Sequence, residues 1–296
     1  MKNRNLLFSF SAVIFGVAVF ILTFAGIGNG DISEPSNDGG TSVKGALEYY
    51  SMLRTNQQTG SIAASDLIRA QQQSREVNES RDFDVQWEVS GPDNYGGRTR
   101  AIIYDNQDPQ YNTLYAGGVA GGVWKSTTSG QVWNPVESDG VNIKVSCMAQ
   151  ASDGAIYVGS GESFVYSGDY KISQYNGFIG QGIFKSVDGD NFHLIASTEP
   201  QLLEGKEAAW AFVNELAVDP SSGRLYAAAN HGLVFSDDGG DSWSYASTAE
   251  GELLDTVASD VKIGQNGIIV ASVANWCYVS ASGASNEFVN HSTRYE

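Results

Sequence analysis

The 296-residue chain carries 34 Asp plus Glu against 17 Lys plus Arg, a net charge of −17, and so lacks the basic footprint of a nucleic-acid-binding protein. Its 34 glycines and 11% aromatic content suit a turn-dense β protein. At the N-terminus, Lys2 and Arg4 precede an apolar run from Leu6 to Phe24, with Ala25, Gly26 and Gly28 behind it. That pattern reads as an export signal over residues 1–28, with cleavage expected after Ala25. The run of about 19 residues is also just long enough to span a bilayer, so an uncleaved membrane anchor is the alternative. The positive flank gives both readings the same orientation, with the bulk of the chain extracytoplasmic, secreted or at the cell surface. No cysteine follows the run, which excludes a lipoprotein.

Residues 29–43 form a Gly/Ser/Asn/Asp/Pro linker with no periodicity. Residues 44–80 predict a helical segment: one helix over Ala46 to Arg54, a break at Thr59-Gly60, and a second helix over Ala63 to Gln73 with Ser65 or Asp66 near its cap. From residue 83 to residue 296 the character changes to strands. Four stretches alternate at period two between turn residues: Arg100 to Tyr104, Ile143 to Ala149, Val213 to Val218 and Val257 to Ile263.

Each of these strands opens a unit that repeats one phrase. Its clearest copy is Leu225 to Phe235, an apolar strand, a glycine turn and a second strand, followed by Ser236-Asp237-Asp238-Gly239-Gly240-Asp241-Ser242-Trp243. An earlier copy runs Ser126-Thr127-Thr128-Ser129-Gly130-Gln131-Val132-Trp133, with Thr128 at the acid position. A third, Ser186-Val187-Asp188-Gly189-Asp190-Asn191-Phe192, is one residue short and ends on Phe. The last, Ser280 to Phe288, keeps the serine and the aromatic and has no acid. The aromatics Trp87, Trp133, Phe192, Trp243 and Phe288 are separated by 46, 59, 51 and 45 residues, the length of a four-stranded propeller blade. In the box, Ser and Asp can cap the N–H groups of a tight turn, Gly supplies the positive φ, and the Trp can pack under its own turn.

These boxes resemble the Asp-box, or bacterial neuraminidase repeat, of sialidases, sortilin-type receptors, xyloglucanase-type glycoside hydrolases and exported bacterial proteins. The resemblance covers roughly residues 83 to 296 and implies an all-β fold: a β-propeller of four-stranded blades, of the broad WD40- and YVTN-like kind. The helical pair, Trp87, and the stretch Gly91-Pro92 to Ile102 resemble the pre-propeller segment of large exported proteins from Bacteroidetes-like bacteria. The resemblance assigns a structural role to Ser126, Gly130, Trp133, Ser186, Asp188, Phe192, Ser236, Asp238, Gly240 and Trp243. Trp87 stands where the outer strand of a closing blade would be, so these residues read as the first part of a larger propeller; a closed four-bladed ring is the alternative. Cys147 and Cys277 fall in strands of the second and fourth units, too far apart for a disulfide, and are expected to be two buried thiols.

Catalytic patterns are not found. His193, His231 and His291 lie in separate units without metal-ligand spacing, and neither a G-x-S-x-G elbow nor a phosphate loop occurs. Asp188-Gly189-Asp190 begins like a calcium loop, but Phe192 and His193 occupy positions that need an oxygen ligand and a glycine. No catalytic residue, metal or cofactor is therefore assigned. Likeness to xyloglucanases would place a carboxylate in the first-blade phrase, where this chain has Val119, and a two-carboxylate mechanism needs that group. Likeness to sialidases would require an arginine triad, and Arg98, Arg100, Arg224 and Arg294 do not recur in that arrangement. A hydrolase remains an alternative only through acids beyond residue 296.

A binding surface is the favoured reading. The long second unit contains an insertion, Gly161 to Gln181, rich in Gly, Ser and aromatics, a recognition composition on a rigid scaffold. The candidate ligand surface is Arg98, Arg100, Glu162, Tyr166, Tyr170 and Tyr175, and the expected partner is a protein or a polysaccharide, with no nucleic acid. A lid packed over the propeller, and salt bridges from the arginines to acids, are the structural alternatives. A structural or assembly subunit of an envelope machine is the third reading of function; oligomeric state is not fixed by the sequence.

Overall fold

The computed structural model describes residues 97–162, 178–200 and 209–292, with Tyr49, Arg69, Ala70 and Gln73 as isolated helical residues. The chain divides into two compact units, Met1–Tyr49 and Tyr50–Glu296. The export or anchor run, the linker, Trp87, Arg294, and Tyr166, Tyr170 and Tyr175 of the insertion lie outside the described residues, as does most of the helical segment. Among the described residues, no helix is long and apolar enough to cross a membrane.

Among the described residues, sixteen strands make four antiparallel four-stranded sheets, each a meander in chain order. Blade I contains β1 (Thr99–Tyr104), β2 (Leu114–Gly118), β3 (Gly122–Ser126) and β4 (Asn134–Pro135). Blade II contains β5 (Val145–Gln150), β6 (Ile156–Ser160), β7 (Ile183–Ser186) and β8 (His193–Leu194). Blade III contains β9 (Val213–Val218), β10 (Leu225–Ala229), β11 (Gly232–Ser236) and β12 (Ser244–Tyr245). Blade IV contains β13 (Ala258–Ile263), β14 (Ile269–Val273), β15 (Trp276–Ser280) and β16 (Val289–Asn290). The inner strands β1, β5, β9 and β13 stand side by side in that order, which makes the assembly a β-propeller. The expected inner strands agree with the observed ones to within two residues at either end.

Alternation decides which neighbour each side chain meets. In blade II, the cross-strand row Met148, Val158 and Phe184 packs against blade I, together with Tyr115 and Val123. The adjacent row, Ala149, Tyr157 and Lys185, turns to blade III, where Tyr157 joins Leu216, Ala227 and Val234. A third cluster, including Tyr226, Leu233, Val261, Ala271 and Phe288, fills the boundary between blades III and IV. The cores therefore lie between sheets. Approach is close there: a Cβ on Gly159 would stand 2.4 Å from Cys147 Sγ and 2.8 Å from Val213, so β6 needs glycine at that point. Backbone bonds tie the outer edges too, as from Glu137 N to Asp190 O (3.1 Å) and from Ser247 N to Ser285 O (2.9 Å).

The box turns are hydrogen-bonded as their sequence suggests. Gly240 N donates to Ser236 Oγ (2.8 Å), Ser236 Oγ donates to Asp238 Oδ1 (2.7 Å), and Ser242 N donates to the same carboxylate (2.9 Å). In the shorter box, Gly189 N donates to Ser186 Oγ (2.9 Å), while Asp188 Oδ1 accepts from Asp190 N and Asn191 N. Thr128 substitutes for the acid in the first box: its Oγ1 accepts from Val132 N at 2.8 Å, and Gly130 N donates to Ser126 Oγ at 3.0 Å. The turn residue at φ near +75° is Gly189 or Gly239; the first box puts Ser129 there at φ 55°. These bonds to the ionised form hold the Asp188 and Asp238 carboxyls far below the usual carboxylate range.

The box aromatics differ in burial, and one expectation, that of two buried thiols, changes. Trp133 and Trp243 do sit under their turns, each donating from Nε1 to the box glycine carbonyl (2.9 and 3.1 Å), but both are only half-buried. Phe192 and Phe288, the shorter aromatics at the same point before the outer strand, are fully buried. Cys147 is buried and its thiol is pushed up to about 12 by desolvation, whereas Cys277 is exposed. Cys277 points to the side of blade IV that has no sheet against it among the described residues, so alternation alone does not bury it.

Candidate functional site

The inner strands and the turns that join second to third strands surround a cavity of about 540 Å³. Its wall is made by Arg100 of β1, Asn214 of β9, Asn230 in the β10–β11 turn, Thr256 and Ser259 around the start of β13, and Asn275 in the β14–β15 turn. Backbone geometry brings these together. The inner strands of blades I, III and IV border it, and the β10–β11 and β14–β15 turns project over the same end. Ala274 and Asn275 close their two-residue hairpin at φ 50° and 66°, the left-handed pair of such turns. Asn214 Nδ2 donates to Asn230 Oδ1 (3.0 Å) and to Ala258 O (2.7 Å), fixing one amide across blades III and IV.

Arg98 and Arg100 converge on one acid. β1 carries a bulge between Thr99 and Ala101, and both guanidinium groups reach Glu162, which follows β6 of blade II. Arg98 Nη2 bonds Glu162 Oε2, and Arg100 Nη1 lies 3.7 Å from Glu162 Oε1. Glu162 is 3% exposed, not a residue of an open loop, and its Oε1 has no hydrogen-bond partner. It stands at the neck of the insertion: Glu162 N donates to Phe178 O at 2.7 Å, and Gly180 N donates to Ala211 O at 2.8 Å. The two ends of the insertion are thus pinned together beside the arginine pair. Arg100 thus borders the cavity and also pairs with Glu162, whereas Arg98 pairs with Glu162 and is not part of the cavity wall.

Other singled-out residues are held elsewhere. Arg224 forms a two-pronged pair with Asp237 (2.6 and 3.1 Å) and covers the Phe235 ring at 4.6 Å. Val119 is buried, and its N–H donates to Arg98 O at 3.0 Å. His193 Nδ1 is 2.7 Å from Asp139 Oδ1 near the surface. His231 packs edge-on to Trp210 at 4.6 Å, and burial lowers its pKa to about 4. Among the described residues, no group of three or more His, Cys, Asp or Glu side chains is placed to hold a metal. The channel wall is therefore one guanidinium among neutral amides and hydroxyls, a surface suited to hydrogen-bonding and charge pairing. Asn214, Asn230, Ser259 and Asn275 were not singled out from sequence. Asn230 and Asn275 do share a signal, an Asn in the same hairpin of successive units.

No protein-family model matches the chain, and no curated protein matches it. Solved structures do match. YCF48 bound to a D1 peptide is similar at 14% identity and TM-score 0.40, over 68% of this chain and 55% of that one. An ancestral GH74 enzyme is similar at 19% identity and TM-score 0.48, over 69% of this chain and 25% of the other. The extracellular domain of a hybrid two-component system from B. thetaiotaomicron is similar at 12% identity and TM-score 0.46, over 68% and 23%. The chain thus spans about half or less of the length of each of these neighbours.

Proposed function

We propose that this chain is an Asp-box propeller that works as an exported or cell-surface interaction module, binding a protein or glycan partner at the channel mouth without catalysis in this segment. The observation that carries the reading is the wall of the 540 Å³ cavity: Arg100 is its cation, and Asn214, Asn230, Ser259 and Asn275 supply donors and acceptors around it. Such a wall matches a ligand with a carboxylate beside hydroxyl or amide groups, as in acidic sugars and acidic peptides. The apolar N-terminal run with its basic flank supports export.

Arrays of acidic oligosaccharides and acidic peptides test the proposal. Binding by the wild-type chain that is lost in Arg100→Ala, with the melting temperature unchanged, is the expected result. Equal signal from both proteins, or release of sugar by the chain, contradicts it.

A further inference from the structure

The inner strands carry a bulge at one repeated place, occupied by Arg100 in β1, Ser146 in β5, Asn214 in β9 and Ser259 in β13. In blades II and III the side chain there ties its blade to the next. Ser146 Oγ donates to Val213 O (2.5 Å), and Asn214 Nδ2 donates to Ala258 O (2.7 Å). Val213 and Ala258 each stand one residue before the bulge of the receiving strand. Blade I departs from this pattern: Arg100 reaches Glu162 instead, with Nη1 3.7 Å from Oε1. A hydroxyl or an amide is enough for the tie, so a guanidinium at this place answers a different need.

Glu162 does not border the cavity that Arg100 lines. It is 3% exposed, its Oε2 is bonded to Arg98 Nη2, and its Oε1 accepts no hydrogen bond. A buried carboxylate is sustained by the cations around it. Arg98 supplies the close contact, while Arg100 stands within ion-pair range of the bare oxygen. Two guanidinium groups and one carboxylate leave a single positive charge. Glu162 therefore draws Arg100 to one position and cancels part of its field, without taking up its N–H fork.

We propose that Glu162 is the positioning residue of the channel mouth, holding Arg100 in place and tuning it to carboxylates over doubly charged anions such as phosphate monoesters. This deepens the binding reading above and takes its site from it. Glu162 opposes every anion in proportion to the anion's charge, so a dianion meets twice the penalty that a carboxylate does.

Acetate and inorganic sulfate, titrated at constant ionic strength into the whole chain with ¹⁵N-labelled arginine, test this on the Arg100 Nε–H signal, identified with Arg100→Lys. Glu162→Gln keeps the size and an acceptor for Arg98 but removes the charge. It should move the Arg100 signal and strengthen acetate by about threefold and sulfate by about the square of that factor. Arg98→Met, at a half-exposed position, leaves Glu162 to Arg100; it should move the same signal and weaken both anions. That variant decides the matter if the buried change does not fold. Equal gains for acetate and sulfate in Glu162→Gln, or an Arg100 signal unmoved in Arg98→Met, overturn the proposal. Either result beside array binding that is lost in Arg100→Ala rejects the role of Glu162 and retains the binding reading. An array without signal, beside the squared gain for sulfate, does the reverse.

Discussion

The box turns and the channel mouth hang from the same sixteen strands, yet they are composed in opposite ways. At the turns the four blades agree: a buried serine at Ser126, Ser186, Ser236 and Ser280, a left-handed turn residue, and an aromatic before the outer strand. At the channel mouth the places repeat but the side chains differ: Arg100, Asn214 and Ser259 sit at the same bulge of β1, β9 and β13, and Asn230 and Asn275 in the same hairpin of blades III and IV. Repetition marks what every blade needs to fold. Departure from repetition marks where side chains are released from that duty and can serve recognition.

The largest effect expected on the repeated side is from Phe192→Ala. Its ring is fully buried between blades I and II, and truncation should cost about 3–5 kcal/mol in a urea melt. Trp243→Ala should cost less, about 1–2 kcal/mol, because the indole is half-exposed, although it packs on Trp210 and the core between blades II and III and bonds Gly240 O and Ser197 Oγ. If the larger ring proves the costlier loss, the box aromatics are not ranked by burial.

Next in size is Ser236→Ala, which leaves the buried N–H of Gly240 without its acceptor and should cost about 1–3 kcal/mol. The same substitution at Ser282, an exposed residue of the degenerate fourth box, should change stability by less than about 0.5 kcal/mol.

Acid should weaken the fold in two stages. His231 has a folded pKa lowered from 6.5 to about 4, so the unfolded chain binds the extra proton first and stability falls as pH drops between those values. Asp188 and Asp238 are depressed below 3.8, so their contribution is present above that value and is lost as pH falls further. Unfolding free energies measured from pH 7.5 to 4.5 should lose their slope in His231→Phe; an unaltered slope would assign it to other groups.

Much of this was written in the chain. The inner strands and the boxes were legible because both obey short-range rules, period-two alternation and turn chemistry, that each unit repeats. Cys277 was misread for a physical reason: alternation tells which side of a sheet a residue faces, not whether another sheet is there. The channel asparagines carried only a faint signal, Asn230 and Asn275 in the same hairpin of successive units, and their proximity to Arg100 arises from the arrangement of blades. Arg100 was found only because it stands two residues after Arg98 at the start of β1, and the burial of Glu162 beside them could not be read from a loop rich in polar residues.

A smaller effect is expected where backbone strain meets the mouth. Ala274 holds φ 50° in the β14–β15 hairpin, and Ala274→Gly should stabilise the protein by about 0.5–1 kcal/mol, checked by thermal melting.

The most direct test sets the two regions against each other in one experiment. Arg100→Ala and Ser236→Ala are melted in urea and probed on the same acidic-ligand array. The account predicts that Ser236→Ala loses stability and, while folded, keeps its binding, whereas Arg100→Ala keeps its stability and loses its binding. Binding lost in proportion to stability in both variants would contradict the division between repeated scaffold and unrepeated site.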